Sequence, residues 1–174
     1  MKTTPRLFVE DRLAEASEIT LVAGDPVRAF NSRDGEWLCY LATVSKKTVT
    51  LRCERRAASV SPPPDIDYVF APLKHARLDY VVQKATELGA RRLRPVITAR
   101  TIAERVNLDR MKANVVEAAE QCNLVYVPEV LEPVKLARCL GDWQPGRALI
   151  HCDETARLAN PIEALRGLTA PAAV

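Results

Sequence analysis

Two hydrophobic periodicities divide this chain. Through residue 61 the apolar positions come in short alternating runs: Arg6-Leu7-Phe8-Val9, Val27 to Phe30, Glu36 to Val44 and Thr48 to Cys53. Period-two runs rich in β-branched and aromatic residues predict half-buried strands. Asn31-Ser32-Arg33-Asp34-Gly35 supplies turn chemistry, since Asp-Gly tolerates positive φ, and Lys46-Lys47 sits at the next turn. Short strands at this spacing predict a small barrel over residues 1–61. Ala14 to Val22 is brief for what a closed barrel needs, so either the barrel is minimal or residues are absent between Ile19 and Gly24.

Ala57 to Asp65, AASVSPPPD, is small, polar and proline-rich, which predicts an extended linker and a domain boundary. Beyond it, over residues 66–174, strand and helix patterns alternate. Asp67 to Pro72 is a buried strand. Leu78, Val81, Val82, Ala85 and Leu88 then paint one helical face, and Gly89 stands where a C′ glycine belongs. Leu93 to Ile97 is the next strand. Asn107 caps a helix whose stripe is Leu108, Met111, Val115, Ala118, Ala119 and Cys122. Val125 to Val130 is a strand, Val134 to Leu140 a short helix, and Ala148 to Cys152 a strand. Pro161 to Leu165 opens a helix capped by Asn160, and the chain stops at Ala170 to Val174 as another strand begins. Repeated strand–helix–strand units predict a parallel sheet covered on both faces, so the fold class is α/β behind a small β domain.

Charge adds one feature. The net charge is only +3, but Arg91 to Lys112 holds seven basic residues (Arg91, Arg92, Arg94, Arg100, Arg105, Arg110, Lys112) against Glu104 and Asp109. A basic stripe on a nearly neutral chain reads either as a phosphate grip or as a solvated surface. The five cysteines are scattered, with no C-x-x-C pair, which argues against a zinc site and a disulfide framework and for a cytoplasmic protein. No apolar run approaches the ~20 residues of a membrane span. Neither G-x-G-x-x-G nor G-x-x-x-x-G-K-[ST] occurs, which disfavours a Rossmann dinucleotide domain and a P-loop enzyme. With only His75 and His151, histidine-centred catalysis has little to work with.

Candidate chemistry gathers at element junctions. Lys74, His75 and Arg77 lie between the first sheet strand and its helix, where open α/β sheets bind ligands. Cations there oppose the helix dipole, so an anionic partner would explain them; a plain solvated turn is the alternative. Lys84 and Glu87, three apart, suit a surface ion pair. Gln121 and Asn123 either read a base edge or cap the backbone.

The blocks FAPLKHARLDYVVQKATELGARRLRPVITART (Phe70 to Thr101) and EAAEQCN…VPEV (Glu117 to Val130) resemble the ribosomal small-subunit RNA uracil-N3 methyltransferases (RsmE-like), of the SPOUT knotted superfamily. VAGDPVRAFNSRDGEW (Val22 to Trp37) resembles that family's N-terminal PUA-like RNA-binding barrel. The resemblance implies a homodimer with S-adenosylmethionine held in a C-terminal trefoil knot. The implied reaction methylates N3 of one uridine in the decoding region of 16S rRNA within the small ribosomal subunit. It gives Lys74, Arg77, Lys84, Glu87 and Gln121 roles near substrate or in site architecture, and places His151, Cys152, Asp153 and Glu154 at the first edge of the cofactor pocket. Arg91, Arg94 and Arg100, with Lys46, Lys47, Arg55 and Arg56 on the barrel, would grip phosphates. No general base is identified; Glu87 qualifies only if its helix end faces the pocket. The sequence departs from the family in three places. The G-P-E-G-G loop and the L-G-x-R-I-L-R-x-E-T-A run expected beyond Val174 are absent, so the knot segment is expected to be missing from this chain. Thr20-Leu21 run directly into Val22 where the family is longer, and Leu124 stands where many members carry arginine. A non-catalytic RNA-binding protein and a knotted methyltransferase acting on tRNA are the alternative readings.

Overall fold

A computed structural model describes the strand at residues 6–8 and residues 22–45, 48–74, 76–102, 105–153, 155, 157, 160–168 and 171–174. The expectation for Ala14 to Val22 therefore lies outside the described residues, except at Val22, as do Lys46, Lys47, His75 and Glu154. Contacts divide the chain into two units: Met1–Pro62 with Val116–Val127, and Pro63–Val115 with Pro128–Val174.

The first unit carries a four-stranded sheet of β1 (Arg6–Phe8), β2 (Pro26–Asn31), β3 (Gly35–Val44) and β4 (Val49–Ala58), in that spatial order. β2, β3 and β4 pair antiparallel, and β1 lies parallel to β2. The alternation predicted from sequence holds, because Val27, Ala29, Cys39 and Leu41 make a buried cluster with Trp37, Val49 and Leu51 against it. Phe30 instead packs with Ala119, Val116, Leu124 and Val127. The β2–β3 turn is built as its sequence demands. Asn31 Oδ1 accepts from the Arg33 and Asp34 amides, and Gly35 sits at φ +87° with a β-carbon position only 2.4 Å from the Ala58 carbonyl oxygen. β4 continues to Ala58, so the segment expected as linker starts two residues later than its composition suggested. Burial and the neighbouring Cys53 thiol, 3.4 Å away, push the Cys39 thiol up to about 12, which leaves it inert at neutral pH.

The second unit is a parallel sheet. Its order is β7 (Glu129–Val130), β6 (Arg92–Ile97), β5 (Ile66–Phe70), β10 (Ala172–Ala173), β9 (Ala148–Leu149), with β8 (Val134–Lys135) also on β6. Helix α1 (Ala76–Glu87) joins β5 to β6, α2 (Leu108–Gln121) joins β6 to β7, α3 (Leu136–Gly141) precedes β9, and α4 (Pro161–Leu165) precedes β10. α1 buries Val82, Ala85 and Thr86 and ends in a Schellman turn, with Gly89 N donating to Thr86 O and Ala90 N to Ala85 O. Leu88, expected on the buried stripe, is 87% exposed, because the turn at Gly89 swings it off the helical face. Asn107 caps α2 through the Arg110 amide, and Met111, Val115, Ala118 and Ala119 are buried; Cys122, expected with them, lies past the helix end and is exposed. Among the described residues no helix is long and apolar enough to cross a membrane.

Two strand expectations shorten, and one expected helix begins later. Val125 to Val127 is not strand: Ser32 Oγ takes the Val127 amide at 2.9 Å and meets its carbonyl at 3.4 Å, so only Glu129–Val130 joins β6. Val134 and Lys135 pair with Val96 and Ile97 before the helix begins at Leu136. β9 stops at Leu149 because its neighbour β10 offers only Ala172 and Ala173.

Candidate functional site

Every strand of the second unit's sheet runs the same way, so its two ends differ chemically. The order in the sheet reverses direction between β5 and β10, where the chain moves from β6 on one side to β9 on the other. Crevices at such switch points, beyond the carboxyl ends of the strands, are where open α/β sheets bind ligands. At that end lie the β5–α1 connection with Lys74 and Arg77, the β6 exit with Thr98 and Arg100, and the β9 exit with His151, Cys152 and Asp153. All but Thr98 are exposed. The Arg77 amide donates to the Lys74 carbonyl at 3.2 Å, which fixes the turn carrying both cations. The Thr98 hydroxyl accepts from the Arg100 amide at 3.2 Å and meets the Thr101 hydroxyl at 3.0 Å, shaping the loop that presents Arg100. Asp153 accepts from the Thr155 amide at 2.9 Å and hydroxyl at 2.8 Å; these bonds, with His151 nearby, hold its carboxyl below the usual aspartate range.

The amino end is occupied by an ion network that sequence reasoning missed. Asp67, fully buried on β5, receives Arg92 Nε on one oxygen and Arg94 Nε on the other, both at 2.5 Å. Asp65 receives Arg92 at 2.5 Å and Arg147 at 2.8 Å, and lies 3.9 Å from Arg91. Arg147, its side chain 3% exposed, also donates to the carbonyls of Asp65 and Ala172, both at 3.0 Å. A buried carboxylate needs such partners, because an unpaired charge in the interior costs several kcal/mol. Two of the arginines assigned to phosphate, Arg91 and Arg94, thus stand in or beside a structural network. The available signal was Asp67 itself, an acid inside a strand pattern otherwise apolar.

Lys84 and Glu87 pair with each other at 2.6 Å, as their spacing suggested. The Lys84 hydrogen bond, above all, holds the Glu87 carboxyl below its usual range. Both belong to the last turns of α1, the end that leads into the start of β6, whereas Arg100 follows the β6 exit. Gln121 ends α2, exposed, in the first unit. Asp79 in the first turn of α1 holds Arg110 through both its oxygens, at 3.0 and 2.6 Å, and Asn114 at 2.7 Å. Arg110 therefore serves the packing of α1 on α2.

Residues 61–173 match the family model described as RNA methyltransferase domain. The chain belongs to the RNA methyltransferase domain family. Within this domain lie the whole parallel sheet, its switch point and its arginine network. A relative named ribosomal RNA small subunit methyltransferase E, from Rickettsia conorii, is 27% identical over 146 residues, covering 75% of this chain and 60% of that protein. The chain thus spans about three fifths of the length of that relative. The RsmE-like resemblance drawn from the sequence is borne out at family level. Among solved structures, ribosomal RNA small subunit methyltransferase E from Neisseria gonorrhoeae, bound to S-adenosyl methionine, is similar with a TM-score of 0.84. It is 18% identical, and the match covers 98% of this chain and 78% of that one. A putative methyltransferase from Legionella pneumophila, in complex with the same cofactor, has a TM-score of 0.71 at 21% identity, over 86% of this chain and 71% of that one. At these identities the likeness shows the fold: a small N-terminal sheet followed by a parallel sheet with helices.

Proposed function

We propose that this RNA methyltransferase domain chain works in S-adenosylmethionine-dependent methylation of N3 of a uridine in the decoding region of 16S rRNA, within the small ribosomal subunit in the cytoplasm. The observation that carries the reading is the segregation of its cations. Those at the amino end of the sheet are tied to Asp65 and Asp67, whereas Lys74, Arg77 and Arg100 stand exposed at the end where open α/β sheets bind ligands. An RNA substrate is a polyanion, and exposed cations are what it needs.

The residues present fit one wall of a cofactor site. The ladder between β9 and β10 ends with Ile150 N donating to Ala173 O, and the backbone of His151 to Asp153 continues beyond it outside the strand pairing. Backbone that runs on past the end of a strand ladder suits the base edge of an adenosine, and the ionised Asp153 suits a positively charged neighbour. The bound cofactor supplies a methyl group on a sulfonium, which leaves as a neutral thioether.

Uracil N3 carries a proton and is a poor nucleophile while it keeps it. Cations near the base lower the cost of the uracil anion, and the proton passes to solvent or to a base. N3 lies on the Watson–Crick edge, so the uridine is unpaired when it reacts. Arg100, with Arg55 and Arg56 on the N-terminal sheet, holds backbone phosphates. We further propose that this sheet closes into a PUA-like barrel and that the protein acts as a homodimer, which light scattering of the full-length protein tests.

Calorimetric titration of S-adenosylmethionine into this chain, and separately into the full-length protein, tests the reading. Saturable binding by the full-length protein supports it. No binding by either, with RNA still bound, favours a non-catalytic RNA-binding protein.

A further inference from the structure

Tyr80, in the middle of α1, is 60% exposed on a helix whose other side buries Val82, Ala85 and Thr86. Single exposed aromatics are common on proteins, but this one has a built setting. Arg77 and Lys84, three residues before and four after, share its stripe of the helix. The Lys84 ammonium lies 5.7 Å from the Tyr80 ring centroid and is itself pinned by Glu87 at 2.6 Å. Lys84 thus braces the ring rather than swinging freely, so less side-chain entropy remains to be lost on binding. Lys74, also exposed, precedes this stripe in the turn that the Arg77 amide closes on its carbonyl. The neighbouring acid, Asp79, is occupied by Arg110 and Asn114 and adds no bare negative charge.

We propose that Tyr80 is a stacking platform for an unpaired RNA base, with Arg77 and Lys74 holding the flanking phosphates and the Lys84–Glu87 pair orienting the ring. An aromatic face beside two cations on one stripe complements a nucleotide, whose base stacks while its phosphate is neutralised. This rests on the RNA reading above and deepens it: a uridine reached at N3 leaves its partners, and its single-stranded neighbours then need a seat. The proposal also gives Lys84 and Glu87 a task at the end of α1 away from the switch point, as positioning residues for Tyr80.

The test is fluorescence anisotropy with a labelled short single-stranded RNA and with the duplex of the same sequence, using the full chain. Tyr80→Ala should weaken single-strand binding about tenfold, the scale of one lost stacked base, and leave duplex binding and the salt slope unchanged. Tyr80→Phe keeps the ring face and should stay within about twofold of wild type, on the same stacking argument. Arg77→Ala should reduce the salt slope by about one. Wild-type affinity in Tyr80→Ala alongside weakened binding in Arg77→Ala would overturn the platform and leave the RNA reading standing. Equal losses in Tyr80→Ala and Tyr80→Phe would also overturn it, by assigning the contact to the hydroxyl. No RNA binding by wild type would remove the RNA reading and the platform with it.

Discussion

Arg147 and Asp65, 82 residues apart in the sequence, meet at 2.8 Å across the two-alanine strand β10. Arg147 stands at the start of β9 and Asp65 at the start of β5, with β10 between those strands in the sheet. The same guanidinium holds the Ala172 carbonyl, so one side chain ties three strands at their amino ends. Ala172 and Ala173 bring little side-chain burial of their own, and this clasp compensates for it.

Arg147→Ala should therefore destabilise the α/β domain by about 3 kcal/mol, the range for a buried pair stripped of one partner. Urea unfolding followed by circular dichroism measures it. A lowered midpoint at unchanged slope is expected, and a shift too small to detect would show that Arg92 and Arg94 suffice for both carboxylates.

The same network sets a pH dependence. Burial opposes ionisation of Asp65, but the Arg147 hydrogen bond and the charges of Arg92, Arg147 and Arg91 outweigh it and hold its carboxyl below the ordinary range. A carboxylate depressed in the folded state contributes stability above its unfolded value, about 3.9, and loses it as pH falls through the folded value. Stability should be flat from neutral pH down to about pH 5 and decline below about 4 on this account. In Arg147→Ala the Asp65 value rises, so acid unfolding should begin at higher pH than in wild type, as an acid titration by circular dichroism would show.

Arginines at the two ends of the sheet should behave differently. Arg94→Gln removes a partner of the buried Asp67 and should lower stability by about 3 kcal/mol, leaving the RNA affinity of the folded protein nearly unchanged. Arg100→Gln and Lys74→Gln should leave stability within about 0.5 kcal/mol and weaken RNA binding with a shallower salt dependence. Thermal melts paired with binding isotherms at several salt concentrations separate the two classes.

Gly35→Ala tests the N-terminal sheet. The added methyl would meet a backbone carbonyl at 2.4 Å in a positive-φ conformation, and neither can shift cheaply. A loss of about 2 kcal/mol or more is expected. Hydrogen exchange should locate it in β2, β3 and β4, with α1 and β6 unaffected.

What the sequence made legible was local. Gly89 as a helix stop, Asn107 and Asn160 as caps and the Asn31–Gly35 turn are fixed by a few adjacent residues, and each formed as expected. Leu88 and Cys122 were misplaced because each sits one residue beyond its helix, where periodicity no longer sets direction. Arg94 read as part of a phosphate-binding stripe because its partner Asp67 lies 27 residues away. Val125 to Val127 read as strand because nothing local reveals that Ser32, 95 residues earlier, takes its backbone. The candidate site was legible in Lys74, Arg77 and Arg100, next to strand ends. Which cations were already spent on carboxylates was not, since that depends on strand order.

The most direct test is incubation of the full-length protein with labelled S-adenosylmethionine and small ribosomal subunits, followed by nucleoside mass spectrometry of the 16S rRNA. The account predicts N3-methyluridine at one site, dependent on Lys74 and Arg77. Transfer to tRNA instead, or cofactor and RNA both bound with no methyluridine formed, would contradict it.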